Sequence, residues 1–600
     1  MKSMCGIVGY VGDYNVESKL IASLKLLEYR GYDSSGIAVK NEKNIVKITK
    51  EVGKIANLEE NVSNLKNAYI GIGHTRWATH GKATRINAHP HSSQNGSWHI
   101  VHNGIIENYA TLKASLIERG AQFQSDTDSE VVAQLLEKEI EGGNITKLQN
   151  VTKKLTGSWA LVCIEKNSDT LYLAKNKSPL YVAIGEGGAY IASDPICFSG
   201  KVDCYYSLSD LEFAEVGRDK VTFFNNNGEQ IEKELQNMTV CEVGVTKGDF
   251  EHFMLKEINE TTSALNRLIE VYSEGTVLEH LDLERLKTIN RIKIIGCGTA
   301  YNSGVIGAMK LEKALGVESS CFIASEFRYS DPIITENTLC IFVSQSGETA
   351  DTLACLELAK AKGAMTLAIT NVAYSTIARS ANFVLPICAG PEIAVASTKA
   401  YVCQLAVFYC LASFLSDKLK RNRIEYISML KNLVENLEIN NNEEIIKQIA
   451  KEFSELDKVF FIGRGEDAIT ADEASLKLKE ISYINSNSYP SGELKHGFLA
   501  LVEEGTPIVV ICTKKELLEK TLNGANEAAA RGGKIVLVTP HEVNVDNYKI
   551  KYVLKLKTTN EDLLSLEAII PLQLLAYYTS TSKGIDPDKP RNLAKSVTVE

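Results

Sequence analysis

Two copies of one pattern, offset by about 167 residues, fill the second half of the chain and restrict its fold more than any other feature. Ile294-Ile295-Gly296-Cys297-Gly298 aligns with Phe461-Ile462-Gly463-Arg464-Gly465, and Ser325-Glu326-Phe327-Arg328 with Gly492-Glu493-Leu494-Lys495. The apolar run 339–343 matches 506–510, and a helical stretch leading into a strand, 357–370, matches 527–539. The strand-like runs are continuous Ile/Val segments alternating with helical ones, the pattern of parallel sheets buried on both faces. Two doubly wound α/β domains are expected, at 285–430 and 450–600.

The copies diverge just after the strand 339–343. The first continues Ser344-Gln345-Ser346-Gly347-Glu348-Thr349. Hydroxyls, a glycine and backbone N–H groups at a strand-to-helix turn form a phosphate cradle. The second copy has Cys512-Thr513-Lys514-Lys515-Glu516 there, so one phosphate site per chain is expected. On this stretch alone, a serine-rich helix cap is the alternative.

At 600 residues the chain exceeds one hydrophobic core, and three or four domains are expected. A net charge of -10 speaks against nucleic acid as the main partner and leaves no polybasic membrane patch. The thirteen cysteines are scattered without a CxxC pair, as in a cytoplasmic chain with free thiols. No apolar run reaches transmembrane length. The short apolar stretch after Lys2 holds glycines and meets Asp13 too early for a signal peptide.

The front end, Met4-Cys5-Gly6-Ile7-Val8-Gly9-Tyr10, sets a cysteine in a buried-strand pattern. It is either a buried apolar thiol or a nucleophile whose own α-amine, of ordinary pKa about 8, takes the thiol proton. The second reading needs Cys5 to be the first residue, so Met1-Lys2-Ser3-Met4 must be absent from the active form. Strand-like runs at 36–39, 70–74, 98–102, 159–164, 171–174 and 190–192 dominate, with helical patterns at 16–28 and 129–139. Residues 1–240 therefore read as an α+β layered domain. Asp126-Thr127-Asp128-Ser129 reads as the N-cap of the second helix. Residues 241–284 read as a linker and helical lead-in, for which a solvated amphipathic connector suffices.

Six of the ten histidines lie between 74 and 102. They alternate with glycines and arginine, with no carboxylate at ligand spacing, which weighs against a metal site. A small substrate carrying both charges fits better. Arg76 can clamp a carboxylate bidentately, and Asp128 can pair with an ammonium. Asn103 and the Gly104 backbone N–H can hold an oxyanion. These parts suit hydrolysis of a glutamine side-chain amide.

Cys5-Gly6-Ile7-Val8-Gly9-Tyr10 and Leu27-Glu28-Tyr29-Arg30-Gly31-Tyr32-Asp33-Ser34 resemble class II, N-terminal-nucleophile glutamine amidotransferases. His74-Thr75-Arg76-Trp77-Ala78-Thr79-His80-Gly81, Asn87-Ala88-His89-Pro90-His91 and His102-Asn103-Gly104 match that class in order and spacing. The resemblance implies that Cys5 is the nucleophile and that Asn103 and Gly104 form the oxyanion hole. It implies that Arg76 and Asp128 hold the glutamine, that Thr79, His80 and His89 shape the pocket, and that Trp77, beside the clamp, gates the passage of ammonia.

The paired copies resemble sugar isomerase (SIS) domains. The whole chain resembles bacterial-type glutamine–fructose-6-phosphate aminotransferases, through 391–399, 476–483, 492–497 and the tail 590–600. The implied fold is an α+β N-terminal-nucleophile glutaminase domain followed by two α/β doubly wound SIS domains. The implied reaction turns fructose 6-phosphate and glutamine into glucosamine 6-phosphate and glutamate, with ammonia passed between two sites, in a cytoplasmic homodimer without cofactor or metal. The chain lacks the glutaminase insertion of eukaryotic-type members, so no nucleotide-sugar feedback site is expected.

The residues suit that chemistry. Lys595 can form a Schiff base with a ketone. Glu480 can shuttle a proton between C1 and C2, with Lys477 three residues earlier on the same helix face. His496 can assist ring opening, and the family implies that it reaches in from a partner subunit. Ser344, Gln345, Ser346 and Thr349 would hold the 6-phosphate, with Thr299, Val395 and Ser397 nearby. Two departures stand out: Ala300 where some members carry serine, and Phe498 where proline is usual. A purine-precursor amidotransferase would need a phosphoribosyltransferase half, which the repeat does not supply. A non-catalytic sugar-phosphate sensor would have no use for Cys5, Glu480, His496 and Lys595.

Overall fold

The computed structural model describes residues 5–28, 31, 33–62, 64–76, 82–198, 200–237, 247–274, 276–373, 375–421, 425–558 and 560–596. Chain contacts divide it into two compact units, 1–242 with 596–600, and 243–595.

The first unit is built on two antiparallel sheets. Gly6–Gly12 lies mid-sheet between Gly188–Ala192 and Ala68–Arg76, and Ser34–Asn41 flanks the latter. The other sheet centres on Trp98–Ile106, Gly157–Glu165 and Leu171–Asn176. Ile7, Val11, Ile70 and Ile72 from one sheet and Val101, Val162 and Leu173 from the other share one buried cluster. Alternation makes this possible: every second side chain of a strand faces the same way. The opposite face of the second sheet is covered by Glu130–Lys138 and Asn144–Thr152, through Val131, Leu135, Leu148 and Val151. Val16–Leu27 lies against the first sheet, filling the space beside Gly71 and Gly73 with Val16, Leu20 and Leu24.

Ser129 does not cap its helix. Its backbone is already helical and its side chain makes no capping bond. Its hydroxyl instead meets His102 Nδ1 at 2.8 Å, while Asp128 Oδ2 accepts from Ile106 N at 2.8 Å. The polar segment is used to hold a buried strand rather than to start a helix.

The second unit contains the repeat as two five-stranded parallel sheets of identical connectivity. Arg291–Gly296 and Lys458–Gly463 hold equivalent places, each followed by a seventeen-residue helix, Thr299–Leu315 and Glu466–Ser482. The first strand of each copy pairs on both sides, with the second strand and the third. The loops after those strands therefore open at the crevice where ligands bind in such sheets.

Two expectations are corrected here. Lys399–Lys418 is one helix long and apolar enough to cross a membrane, and it is a core helix, buried through Tyr401, Leu405, Phe408 and Leu411. Its apolar run is interrupted by Gln404, Ser413 and Ser416, which hid its length in the sequence. The segment 253–273 is not a solvated connector. Met254, Ile258, Leu265, Leu268 and Ile269 are buried in the main cluster of the second unit, each worth about 1.5–3 kcal/mol relative to exposure.

Candidate functional site

In the first unit, Gly6 pairs with Thr75, and continuing that antiparallel register sets Cys5 opposite Arg76. Both are buried. Burial lowers the Arg76 guanidinium, and its titratable neighbours Cys5, Asp128 and Asp33 oppose that lowering. Asn103 comes from the other sheet. Its Nδ2 donates to the Cys5 carbonyl oxygen at 2.8 Å. Gly104 follows with φ 129°, and a Cβ there would lie 2.0 Å from the Ser158 carbonyl oxygen, so only glycine fits.

His74 Nε2 lies 3.0 Å from both the His102 carbonyl oxygen and Asn103 Oδ1. Both partners are acceptors, so Nε2 carries the proton. Burial drives the ring's pKa down to about 3, against the Asn103 hydrogen bond, so His74 is neutral. Its ring lies tilted against His89 at 4.1 Å, and His89 meets His91 edge-to-face at 4.4 Å. Burial likewise holds His89 and His91 well below the ordinary value and His102 below it. His91 Nε2 meets Thr127 Oγ1 at 3.0 Å, and Asp126 N donates to Asn87 Oδ1 at 3.0 Å. Hydrogen bonds thus tie the histidine-rich strands to the 125–130 segment, with the histidines neutral and the carboxylates of that segment as its anions. Trp77, Thr79 and His80 lie outside the described residues, as do Met1–Met4.

The second cluster joins the two repeats. Lys477 Nζ is 2.7 Å from Glu480 Oε2, donates to Thr299 Oγ1 at 3.0 Å and lies 3.4 Å from Glu473. Thr299 Oγ1 and Asn302 Nδ2 donate to the two Glu473 oxygens at 3.0 and 2.8 Å. Lys477 is fully buried. Burial alone would lower its pKa, but Glu480 and Glu473 outweigh it and raise it, so the lysine is charged.

Ser344, at the end of its strand, accepts from Gly347 N at 3.0 Å and meets Thr349 Oγ1 at 2.9 Å. Gly347 has φ 65°, and a Cβ there would lie 1.9 Å from Ser375 Oγ. Glu348 N donates to Ser346 Oγ, and Gln345 contributes its carbonyl oxygen to Asn371 N. Val395 and Ser397 lie on the loop 391–400. Val395 N donates to the Asp588 carbonyl oxygen at 3.1 Å, and Ser397 Oγ to Glu392 at 3.0 Å. Lys595 ion-pairs with Glu392. His496 ends the short helix Ser491–His496, is exposed, and makes no hydrogen bond to Lys477, Glu480 or Lys595 among the described residues. Phe498, beside it, is buried against Phe460 and Tyr489 at 4.9 Å each.

In the second repeat, Asp467 occupies the position equivalent to Ala300. Its carboxylate accepts from Thr513 N at 2.9 Å and Thr513 Oγ1 at 2.6 Å. The turn that offers hydroxyls and N–H groups in the first copy is closed by an internal carboxylate in the second.

A family model of the glutamine amidotransferase domain matches residues 74–199, and one of the SIS domain matches twice, at 285–414 and 452–583. A glutamine–fructose-6-phosphate aminotransferase (isomerizing) of Caldanaerobacter subterraneus subsp. tengcongensis is 45% identical over the full length of both chains. This chain belongs to that family. The aminotransferase of Bacillus subtilis is 41% identical over the full length of both. The solved C-terminal domain of the Francisella tularensis glucosamine-fructose-6-phosphate aminotransferase is 36% identical, covering 57% of this chain and all of its own, with a TM-score of 0.53.

Within this aminotransferase, sequence reasoning missed His74 as the group orienting Asn103, and Glu473 and Glu392 as the carboxylates in contact with Lys477 and Lys595. Glu473 was findable: it lies four residues before Lys477, on the same helix face. Glu392 carried no such signal, because its partner is 203 residues away.

Proposed function

We infer that the chain converts fructose 6-phosphate and glutamine to glucosamine 6-phosphate and glutamate. What carries the reading is that one chain holds both the Cys5–Asn103–Arg76–Asp128 cluster and the Thr299–Lys477–Glu480 cluster beside the serine-rich loop.

At the first site the Cys5 thiolate adds to the glutamine amide carbon, and its proton goes to the α-amine once Cys5 is the first residue. Arg76 pairs with the substrate carboxylate and Asp128 with its ammonium. Asn103 Nδ2 has two hydrogens; one is held by the Cys5 carbonyl, leaving the other, with Gly104 N–H, for the oxyanion. Collapse expels ammonia, and water releases glutamate from the thioester. His89 lines the pocket, to which the family resemblance also assigns Trp77, Thr79 and His80.

At the second site the phosphate binds Ser344, Gln345, Ser346 and Thr349, with Thr299, Val395 and Ser397 on the sugar. His496 opens the ring. The Lys595 amine adds to the C2 carbonyl, water leaves, and ammonia displaces the lysine from the imine. Glu480 moves the proton from C1 to C2, with Lys477 beside it to hold its charge. Ammonia is passed on without release, since water would trap it as ammonium. The exposure of His496 supports the homodimer, in which it serves a neighbouring subunit. Thirteen scattered cysteines, without a disulfide framework among the described residues, support a cytoplasmic setting.

Mass spectrometry after incubation with both substrates tests the reading. Glucosamine 6-phosphate forms with the native chain, and Glu480→Gln releases glutamate without it. Product from Cys5→Ala with glutamine as sole nitrogen source overturns the first site.

A further inference from the structure

Two buried carboxylates brace the loop 391–400 from opposite directions. Glu392 belongs to the loop, and its oxygens are saturated: Thr398 N at 2.8 Å, Ala400 N at 3.1 Å, Ser397 Oγ at 3.0 Å, and the Lys595 ammonium. Glu257 arrives from the helix Phe253–Asn259. Its Oε1 accepts from Ile393 N and Ala394 N, and its Oε2 is buried without a hydrogen-bond partner.

The cations around Glu257 are all bonded to other carboxylates. Glu392 faces it from the loop, Lys595 from the tail and Lys399 from the apolar helix. Lys399 is already paired with Glu260 at 2.7 Å. On its own helix, Lys256 is also taken by Glu260, and Asp588 closes the helix N-terminus, accepting from Phe253 N and Met254 N, with Lys247 3.9 Å away. No ammonium among the described residues is bonded to either Glu257 oxygen, since Lys595 is on Glu392 and both Lys399 and Lys256 are on Glu260, and the carboxyl is buried. An unpaired buried charge is costly enough that the group neutralises instead. Of the four oxygens, only Glu257 Oε2 lacks a donor, so it is where a proton is accommodated.

We propose that Glu257 is a positioning residue for Lys595, working as a neutral carboxylic acid that fixes the Ile393–Ala394 backbone and leaves Glu392 as the single anion beside the lysine. The role rests on the reading of Lys595 as the Schiff-base lysine. Burial first, then the Glu392 charge, raise the Glu257 carboxyl above the ordinary carboxylate range, with Lys595 opposing. When Glu257 loses its proton on the alkaline side, an unpaired anion is left buried under the loop, the Ile393–Ala394 brace loosens, and Glu392 no longer holds Lys595 in place at the sugar.

The test compares native, Glu257→Gln and Glu257→Ala full-length chains across pH. Three readouts are used: product formation, borohydride trapping of a fructose 6-phosphate adduct on Lys595, and infrared difference spectra. Native minus Glu257→Gln shows a protonated carboxyl band at neutral pH that vanishes on the alkaline side. Glutamine in that place keeps the neutral form, so the one-proton alkaline fall in trapping and turnover disappears from its profile. Alanine loses both backbone contacts, and KM for fructose 6-phosphate rises about tenfold, a loss that glutamine largely rescues. An unchanged alkaline limb in Glu257→Gln, or no protonated-carboxyl band, overturns the proposal. No adduct on Lys595 in the native chain at any pH overturns the Schiff-base reading instead, and the infrared band still decides whether Glu257 is neutral.

Discussion

His74 Nε2 sits 3.0 Å from Asn103 Oδ1, and this contact decides which end of the Asn103 amide faces Cys5. The proton on Nε2 admits only the oxygen, so the NH2 group is turned to the nucleophile. Replacing Asn103 by Ala is expected to lower glutaminase kcat about 10²–10³-fold, as for loss of one oxyanion donor. His74→Ala frees the amide to flip and lowers kcat by a smaller factor, with KM for glutamine little changed. Steady-state glutamate release checks both.

Acid weakens the first unit before the second. His74, His89, His91 and His102 are held below their ordinary values by burial. The unfolded chain, with histidines near pKa 6.5, takes up protons that the folded one refuses. Stability is intact above about pH 6.5 and falls on acidification below it, by up to about 1.4 kcal/mol per pH unit for each histidine kept neutral. Hydrogen exchange at falling pH reads this as protection lost in 68–165 before 291–580.

Lys477 is the only cation bonded to Glu473 and Glu480 among the described residues. Lys477→Met strands Glu473 as a buried charge and is expected to cost about 3–5 kcal/mol. Adding Glu473→Gln removes that charge and restores part of the loss. Urea unfolding of the two variants measures the difference.

Phe498 fills the space between Phe460 and Tyr489. Phe498→Ala is expected to destabilise the second repeat by about 3–5 kcal/mol. It also loosens the turn that carries His496, so the thermal midpoint falls and sugar-dependent turnover falls with it. Differential scanning calorimetry and product assays follow the two effects separately.

The repeat was legible because parallel strands covered on both faces must be continuous apolar runs, and 294–296 and 461–463 are such runs. The Cys5–Asn103 contact of the candidate site was legible because a near-terminal cysteine with Asn103-Gly104 is a rare grouping. Glu257 and Glu392 were not, since a glutamate in a helix or loop reads as surface until packing buries it. The helices 253–273 show the same limit: amphipathic spacing announces an apolar face without naming what covers it. Asp126-Thr127-Asp128-Ser129 has the composition of a helix cap, and only the neighbouring histidine strand explains why its side chains turn elsewhere.

Asp467 has a consequence for how the duplicated half divides its labour. By closing its own turn on Thr513, the second copy is no longer a receptor, and the helix it heads supplies Glu473, Lys477 and Glu480 to the cleft of its twin. Under the proposed function the two copies are donor and host of a single cleft, so each polypeptide is expected to hold one sugar phosphate.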